Sequence, residues 1–397
     1  MTVQRGRHFL QIPGPTNVPD RVLRAIDRPT IDHRGPAFAE LALEVLAGLK
    51  TIFKTSGPVV VFPGSGTGAW EAALVNALSP GDRVLMFETG MFATLWREMA
   101  ERLGLDVQFV AGDWRHGVNP SEVERLLTAD TQQRIKAVAV VHCETSTSIL
   151  SRLPEIRAAI DRAGHPALFM VDTISSLASM DFQQDEWGVD VAVGGSQKGL
   201  MLPAGISFNA ISAKARLAAS RSRFGRSYWN WEAIVQANEN GFWPYTPPTN
   251  MLYGLRESLA MLHEEGLDAV FARHARFGEA TRRAVRAWGL EVLCLEPREY
   301  ANSLTAVLLP EQYDADKLRA TILERYDMSL GAGLGRIKGR VFRIGHLGDF
   351  NDLMLAGTLA GVQMGLELEG IPHGDGVSAA LTYLTSSASK STELVGA

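Results

Sequence analysis

From Pro58 onward the chain alternates short apolar runs with longer stretches in which apolar residues recur every three or four positions. The runs are VVVF (59–62), RVLMF (83–87), VQFV (107–110), KAVAVV (136–141), ALFMV (167–171), VDVAV (189–193) and ISFNAI (206–211). They are near-continuously apolar rather than alternating, as in strands covered on both faces. The intervening stretches, such as WEAALVNAL and LPEIRAAIDRAG, have the spacing of amphipathic helices. Strands and helices in alternation predict an α/β fold, with a large domain on a mostly parallel seven-stranded sheet.

The flanks read differently. Residues 1–20 are expected as an extended arm, because Pro13, Pro15 and Pro19 disfavour both helix and central strand. A helical pattern ending in FAELALEVLAGLKTIF follows. Near Met251 the pattern changes, and LYGLRESLAMLHEEGLDAVFARHARFGEATRRAVRAWGL reads as one long helix. It leads to a smaller α+β domain with strands in SLTAVLL and GRVFRIG. The expected division is an arm (1–20), a large domain (21–264) and a small C-terminal domain (265–397). The closing stretch, 375–397, ends Ser/Thr-rich and is expected to fray. No repeat or low-complexity linker interrupts the pattern.

Composition narrows the function classes. With 397 residues, 46% hydrophobic and 21% charged, the chain has the balance of a soluble globular protein with a sizeable core. Its net charge of −5 leaves no basic footprint for nucleic acid. No apolar run approaches the roughly 18 residues of a membrane span, and the first residues lack the apolar core of a secretion signal. A cytoplasmic protein with neither nucleic-acid nor membrane partners is expected. Cys143 and Cys294 form no CxxC or CxxH pattern, so both read as buried thiols and no metal site is expected.

Three features carry candidate chemistry. Gly64-Ser65-Gly66-Thr67-Gly68 joins an apolar run to a helix, where glycines allow close approach and a helix N-terminus attracts phosphate. The same loop, Gly64-x-Gly66-x-x-Ala69 with Glu88 further on, also matches a dinucleotide fingerprint. Asp172 ends the run ALFMV, and Lys198 follows VDVAVGG by way of Ser196-Gln197. An acid and an amine at two strand ends suit pyridoxal phosphate. That cofactor needs a lysine for its aldehyde and a carboxylate for its pyridine nitrogen.

GSQKG with an upstream VD, together with GSGTGAWEAAL, resembles the class V (fold type I) pyridoxal-phosphate aminotransferases, more narrowly their serine–glyoxylate and alanine–glyoxylate branch. The resemblance runs from PGPTNVP through HCETSTSI and SQKG to LYGLRESL and GRVFRIGHLG, nearly the whole chain. It implies the fold type I architecture, with pyridoxal 5′-phosphate as cofactor. Lys198 would hold the cofactor aldehyde and Asp172 would pair with the pyridine nitrogen. Ser65, Gly66 and Thr67 would hold the phosphate or its approach, with Gln197 as a further contact. Phe92, in ETGMFATLW, takes the place of the aromatic that stacks on the ring, where many relatives carry Trp. Thr145, in HCETSTS, falls where a hydroxyl contacts the ring oxygen. Tyr245 and Thr246, in WPYTPPT, match phosphate contacts supplied by a neighbouring subunit, which implies a homodimer with shared sites. Arg343, in GRVFRIG, matches the arginine for the substrate α-carboxylate, a bidentate task that suits a guanidinium. Arg34, in TIDHRGP, is a further candidate substrate contact, and His142 reads as structural.

The implied reaction is transamination from a small amino acid to glyoxylate. L-serine, which would give hydroxypyruvate and glycine, is favoured; the alternative is an alanine– or aspartate–glyoxylate (or pyruvate) aminotransferase. Three alternatives stay open. A lyase or desulfurase would need a mobile nucleophilic cysteine. An NAD(P)-dependent oxidoreductase on the Gly64–Ala69 loop would leave Asp172 and Lys198 without a role. A binding protein that kept the fold would have no use for Asp172, Lys198 and Arg343 together.

Overall fold

A computed structural model describes residues 6–395, and side chains through residue 387. Residues 1–5 of the expected arm and residues 396–397 of the expected tail lie outside the described residues. The strands in chain order are β1 (Phe9–Gln11), β2 (Val59–Gly64), β3 (Arg83–Phe87), β4 (Asp106–Val110), β5 (Ile135–Val141), β6 (Cys143–Glu144), β7 (Ile149–Leu150), β8 (Leu168–Asp172), β9 (Val191–Gly195) and β10 (Gly205–Ile211). Four more follow: β11 (Glu291–Val292), β12 (Leu304–Leu308), β13 (Met328–Ala332) and β14 (Val341–Gly345).

All seven apolar runs enter one sheet, ordered β2-β10-β9-β8-β5-β3-β4. Its strands are parallel except β10, which runs antiparallel to both β2 and β9. The reason is local: the connection 196–204 between β9 and β10 leaves no room for a crossover helix. Every residue of β8 and β9 is buried, as near-continuous apolar strands require. A second sheet, β1-β13-β14-β12-β11, belongs to the C-terminal part.

Two expectations change. The extended arm contributes a strand: Phe9–Gln11 pairs in parallel with Met328–Leu330 of β13. The prolines begin only at Pro13, so these residues keep the N–H groups a ladder needs. The single long helix after Met251 is two, Thr249–Glu265 and Leu267–Ala287. Gly266 adopts φ +83 and its N–H closes the first helix on Leu262. This is glycine ending a helix, a signal present in the sequence as HEEGLD. The tail expected to fray continues as a helix, Gly376–Val395.

Packing shapes the approach to the parallel strand ends. Phe208 of β10 lies opposite Gly194 of β9 and meets Phe53 edge-on, with ring centroids 6.3 Å apart. A Cβ on Gly194 would sit 3.0 Å from Phe53, 3.1 Å from Leu177 and 3.2 Å from Phe208. The aromatic layer therefore requires glycine just before the loop that carries Lys198. Phe208 is fully buried. Phe208→Ala should cost about 3–5 kcal/mol through lost burial and the cavity left behind. Thermal unfolding of cofactor-free protein checks this, and an unchanged midpoint would contradict the packing described.

Candidate active site

Two buried charged groups stand at the ends of adjacent parallel strands. Asp172 closes β8 and is 3% exposed. Its Oδ1 accepts the Ile174 N–H at 2.7 Å, and its Oδ2 accepts the Trp70 indole N–H at 3.0 Å. Burial pushes its carboxyl up to about 7; the Ile174 N–H opposes the shift and the charge of Glu144 adds to it. Lys198 follows β9 and is 7% exposed. Burial lowers its amine to about 8, helped by the positive charge of Arg343. Its Nζ donates to the Pro13 carbonyl. The carboxylate and the amine thus have separate partners, and no ion pair joins them among the described residues.

The glycine loop lies at the end of β2. Ser65 is the N-cap of the helix Gly66–Ala77, with extended backbone, yet its side chain makes no capping bond. An N-cap serine ordinarily spends its hydroxyl on the helix; here Ser65 and Thr67 are exposed. Gly66 is needed for space: a Cβ there would lie 2.3 Å from Ile174 Cδ1, beside the Asp172 turn. Gln197, next to Lys198, has a buried Oε1 without a hydrogen-bond partner. Buried polar atoms are almost always paired, so this side chain fits a site that takes a polar ligand.

A third group comes from the helix Met91–Arg102 and the segment after β5. Phe92 meets Trp70 edge-on at 6.4 Å. Its helix N-terminus is held by Glu144, whose oxygens accept the N–H groups of Phe92 at 3.3 Å and Ala93 at 3.0 Å. The Ser146 hydroxyl accepts the Met91 N–H at 2.9 Å and donates to Glu144 at 2.6 Å. A carboxylate at a helix N-terminus is favoured by the helix dipole. The Thr145 hydroxyl pairs with that of Ser175. The Thr145 carbonyl accepts from Arg343 Nη1 at 2.7 Å, while Arg343 Nε donates to the Ala332 carbonyl at 2.8 Å. Arg343 is 7% exposed, and burial lowers its guanidinium to about 10, with Glu144 opposing. No carboxylate pairs with it among the described residues.

Three expected residues come from other segments of the chain. Tyr245 stacks on Tyr228 with centroids 4.5 Å apart, and its buried hydroxyl has no partner. Thr246 beside it is exposed. The segment covers the free edge of the sheet, where Trp243 Nε1 donates to the Val61 carbonyl. Arg34 is exposed before the helix Pro36–Phe53, and no ion pair engages its side chain among the described residues. His142 is fully buried, with Nδ1 at 2.9 Å from Ser176 Oγ, and burial drives it down to about 3.

The dinucleotide reading fails on topology. A fingerprint strand belongs among parallel neighbours at a switch point, but β2 is an edge strand whose partner β10 is antiparallel. Glu88 is committed elsewhere, to the Trp114 indole and the Gly112 N–H. The desulfurase reading finds no nucleophile, since burial pushes both Cys143 and Cys294 up to about 12.

Known proteins share this fold and much of this sequence. The family model described as aminotransferase class-V matches residues 8–336. The chain belongs to the class V aminotransferases. It is 48% identical over 391 residues to a serine–glyoxylate aminotransferase of Methylorubrum extorquens, covering 96% of this chain and 97% of that one. It is 45% identical over 372 residues to an L-aspartate–glyoxylate aminotransferase of Paracoccus denitrificans, covering 93% and 94%. Among solved structures, a pyridoxamine–pyruvate aminotransferase of Mesorhizobium loti superposes with a TM-score of 0.89 at 26% identity, covering 96% of this chain and 97% of that one.

This aminotransferase therefore uses pyridoxal phosphate, and its residues fit that group. A buried carboxyl and a buried amine follow adjacent strands, and the N-cap hydroxyl of the glycine-loop helix is unspent, which suits a group with a ring nitrogen, an aldehyde and a phosphate. Sequence reading missed Trp70, Glu144, Ser146, Ser175 and the Pro13 carbonyl. Glu144 left a signal, an acid inside the otherwise small and uncharged run HCETSTS.

The raised Asp172 carboxyl has a consequence for stability. Its ordinary value is 3.8 and its folded value about 7. Between these pH values it ionises more readily unfolded, so the cofactor-free fold loses stability as pH rises through that window. Asp172→Asn removes this loss. Cofactor-free wild type should lose more thermal stability than the variant as pH rises from about 4 to about 7. Parallel pH profiles would contradict the assignment.

Proposed function

We propose that this aminotransferase transfers the amino group of L-serine to glyoxylate, giving hydroxypyruvate and glycine. The observation that carries the substrate reading is Arg343. A buried guanidinium without a carboxylate partner is costly. This one is aimed by two backbone carbonyls, and its charge acts on Lys198. A substrate α-carboxylate would complete it. The serine–glyoxylate relative from Methylorubrum supports serine as donor.

Bound pyridoxal phosphate supplies an electron sink for the electrons of the broken bond. The chain does the rest. Asp172 would hold the pyridine nitrogen protonated. Ser65, Gly66, Thr67 and Gln197 would hold the phosphate, with Phe92 for the aromatic ring and the Thr145 hydroxyl for the ring oxygen. Lys198 would hold the aldehyde. Its free amine takes the proton from the substrate α-carbon as a base and gives it up again as an acid. An amine lowered to about 8 is poised for both directions near neutral pH. The large domain, 21–264, carries the cofactor, and the small domain, 265–397, brings Arg343.

The enzyme works as a cytoplasmic homodimer, with Tyr245 and Thr246 of each copy closing the phosphate side of the other's site. The unpaired Tyr245 hydroxyl and the exposed Ser65 and Thr67 support this reading. No helix among the described residues is long and apolar enough to cross a membrane. Arg34 is assigned as a further substrate contact.

Aspartate is a weaker donor on this reading. Its side-chain carboxylate needs a second buried cation; among the described residues the other buried arginine, Arg282, is paired with Glu279, and Arg34 is exposed. Half-reactions with serine, alanine and aspartate test the choice, each followed by conversion of the cofactor to its amine form. Serine should react fastest, and failure of serine would contradict the donor assignment. Arg343→Lys should raise the KM for serine about 10- to 100-fold, the scale of a lost bidentate charge-assisted pair. An unchanged KM would remove Arg343 from the substrate.

A further inference from the structure

We propose that Pro13 and Gly14 are positioning residues for Lys198: the Pro13 carbonyl holds the freed lysine amine, and Gly14 leaves the room for it to do so. The inference rests on the reading of Lys198 as the proton-transferring base.

The arm is fastened on both sides of the lysine. Its strand β1 is paired into the sheet that carries Arg343. A Cβ on Gly345 would meet the Ile12 carbonyl at 2.2 Å, and one on Gly331 would meet Pro13 at 2.7 Å and Arg343 Cβ at 3.0 Å. This turn is therefore seated directly against β13 and β14, the second of which carries Arg343. Past it, the Thr16 N–H bonds the Gln197 carbonyl at 3.1 Å, and the Thr16 hydroxyl bonds the Lys198 carbonyl at 3.2 Å. The arm thus spans the space between Arg343 and the lysine loop.

Between these fastenings the lysine amine meets the Pro13 carbonyl. Gly14 has φ +95, where side chains are disfavoured. A Cβ there would lie 2.3 Å from Lys198 Cδ, 2.7 Å from Nζ and 2.8 Å from Cε. The lysine thus lies along the bare backbone of the arm.

The partner's chemistry suits a base that must also act as an acid. A backbone carbonyl only accepts hydrogen bonds and does not titrate. A neutral amine gives it one N–H and keeps its lone pair for the α-proton. The protonated amine gives it the same bond. A carboxylate in that place would favour the charged form and hold the proton. Pro13 orients the amine without competing for what it carries.

Gly14→Ala in the full chain is the test. With cofactor and serine bearing deuterium at the α-carbon, the variant's half-reaction should slow about 10- to 100-fold, the scale of a roughly 1 Å misplacement. Its isotope effect should rise, while KM for serine stays near the wild-type value. In cofactor-free protein, carbamoylation of Lys198 by cyanate, followed by peptide mass, should be severalfold faster because the amine has lost its seat. An unchanged isotope effect with unchanged carbamoylation would overturn the proposal. If Gly14→Ala does not fold, Thr16→Val removes the arm's bond to the Lys198 carbonyl without added bulk. It should move both readouts the same way, and wild-type values would overturn the proposal. Wild-type turnover in Lys198→Ala would instead overturn the reading of Lys198 on which the proposal rests.

Discussion

The structure depends on keeping a carboxyl and an amine buried, close and unpaired. Asp172 closes β8 and Lys198 follows the neighbouring β9, and each is displaced from its ordinary titration by burial. A direct ion pair would neutralise both and fill the space a cofactor needs. The fold prevents it by giving each group another partner. Trp70 and Ile174 take the carboxylate, and the Pro13 carbonyl takes the amine. This arrangement is costly for a chain without cofactor, and the large buried sheet supports it.

Much of the remaining architecture serves that separation. Glycine appears where backbone or ligand must come close: Gly194 beneath the Phe53–Phe208 layer, Gly66 against Ile174, Gly14 against Lys198. Glu144 and Ser146 cap the helix that presents Phe92, which fixes an aromatic face relative to Asp172 through Trp70. Glu144 also opposes the effect of burial on Arg343 while raising Asp172. One buried carboxylate therefore acts on Phe92, Arg343 and Asp172 together. The short arm then ties the sheet of Arg343 to the loop of Lys198, so the two halves of the site share a backbone contact.

The parallel sheet was legible because its strands are covered on both faces and read as unbroken apolar runs. Asp172 and Lys198 were legible as charges at the ends of such runs. The glycine loop was ambiguous, since glycines at a helix start serve any phosphate; the edge position and antiparallel partner of β2, with Glu88 engaged elsewhere, remove the dinucleotide reading. The contacts of Pro13, Trp70 and Glu144 were not legible. Each depends on a residue distant in sequence, and spacing carries no record of a carbonyl that meets a side chain from another element. The break at Gly266 was legible in principle, but helical periodicity on both sides concealed it. Tyr245 and Thr246 were named from resemblance, and Arg34 from its place near the expected arm.

The central claim is that Asp172 and Lys198 bound one cofactor site, with the lysine as the attachment point. Borohydride reduction of the cofactor-loaded protein, followed by digestion and peptide mass analysis, addresses it most directly. The account predicts a yellow protein whose cofactor becomes fixed on the peptide carrying Lys198 and on no other. Fixation on a different lysine, or a cofactor that washes away after reduction, would contradict it.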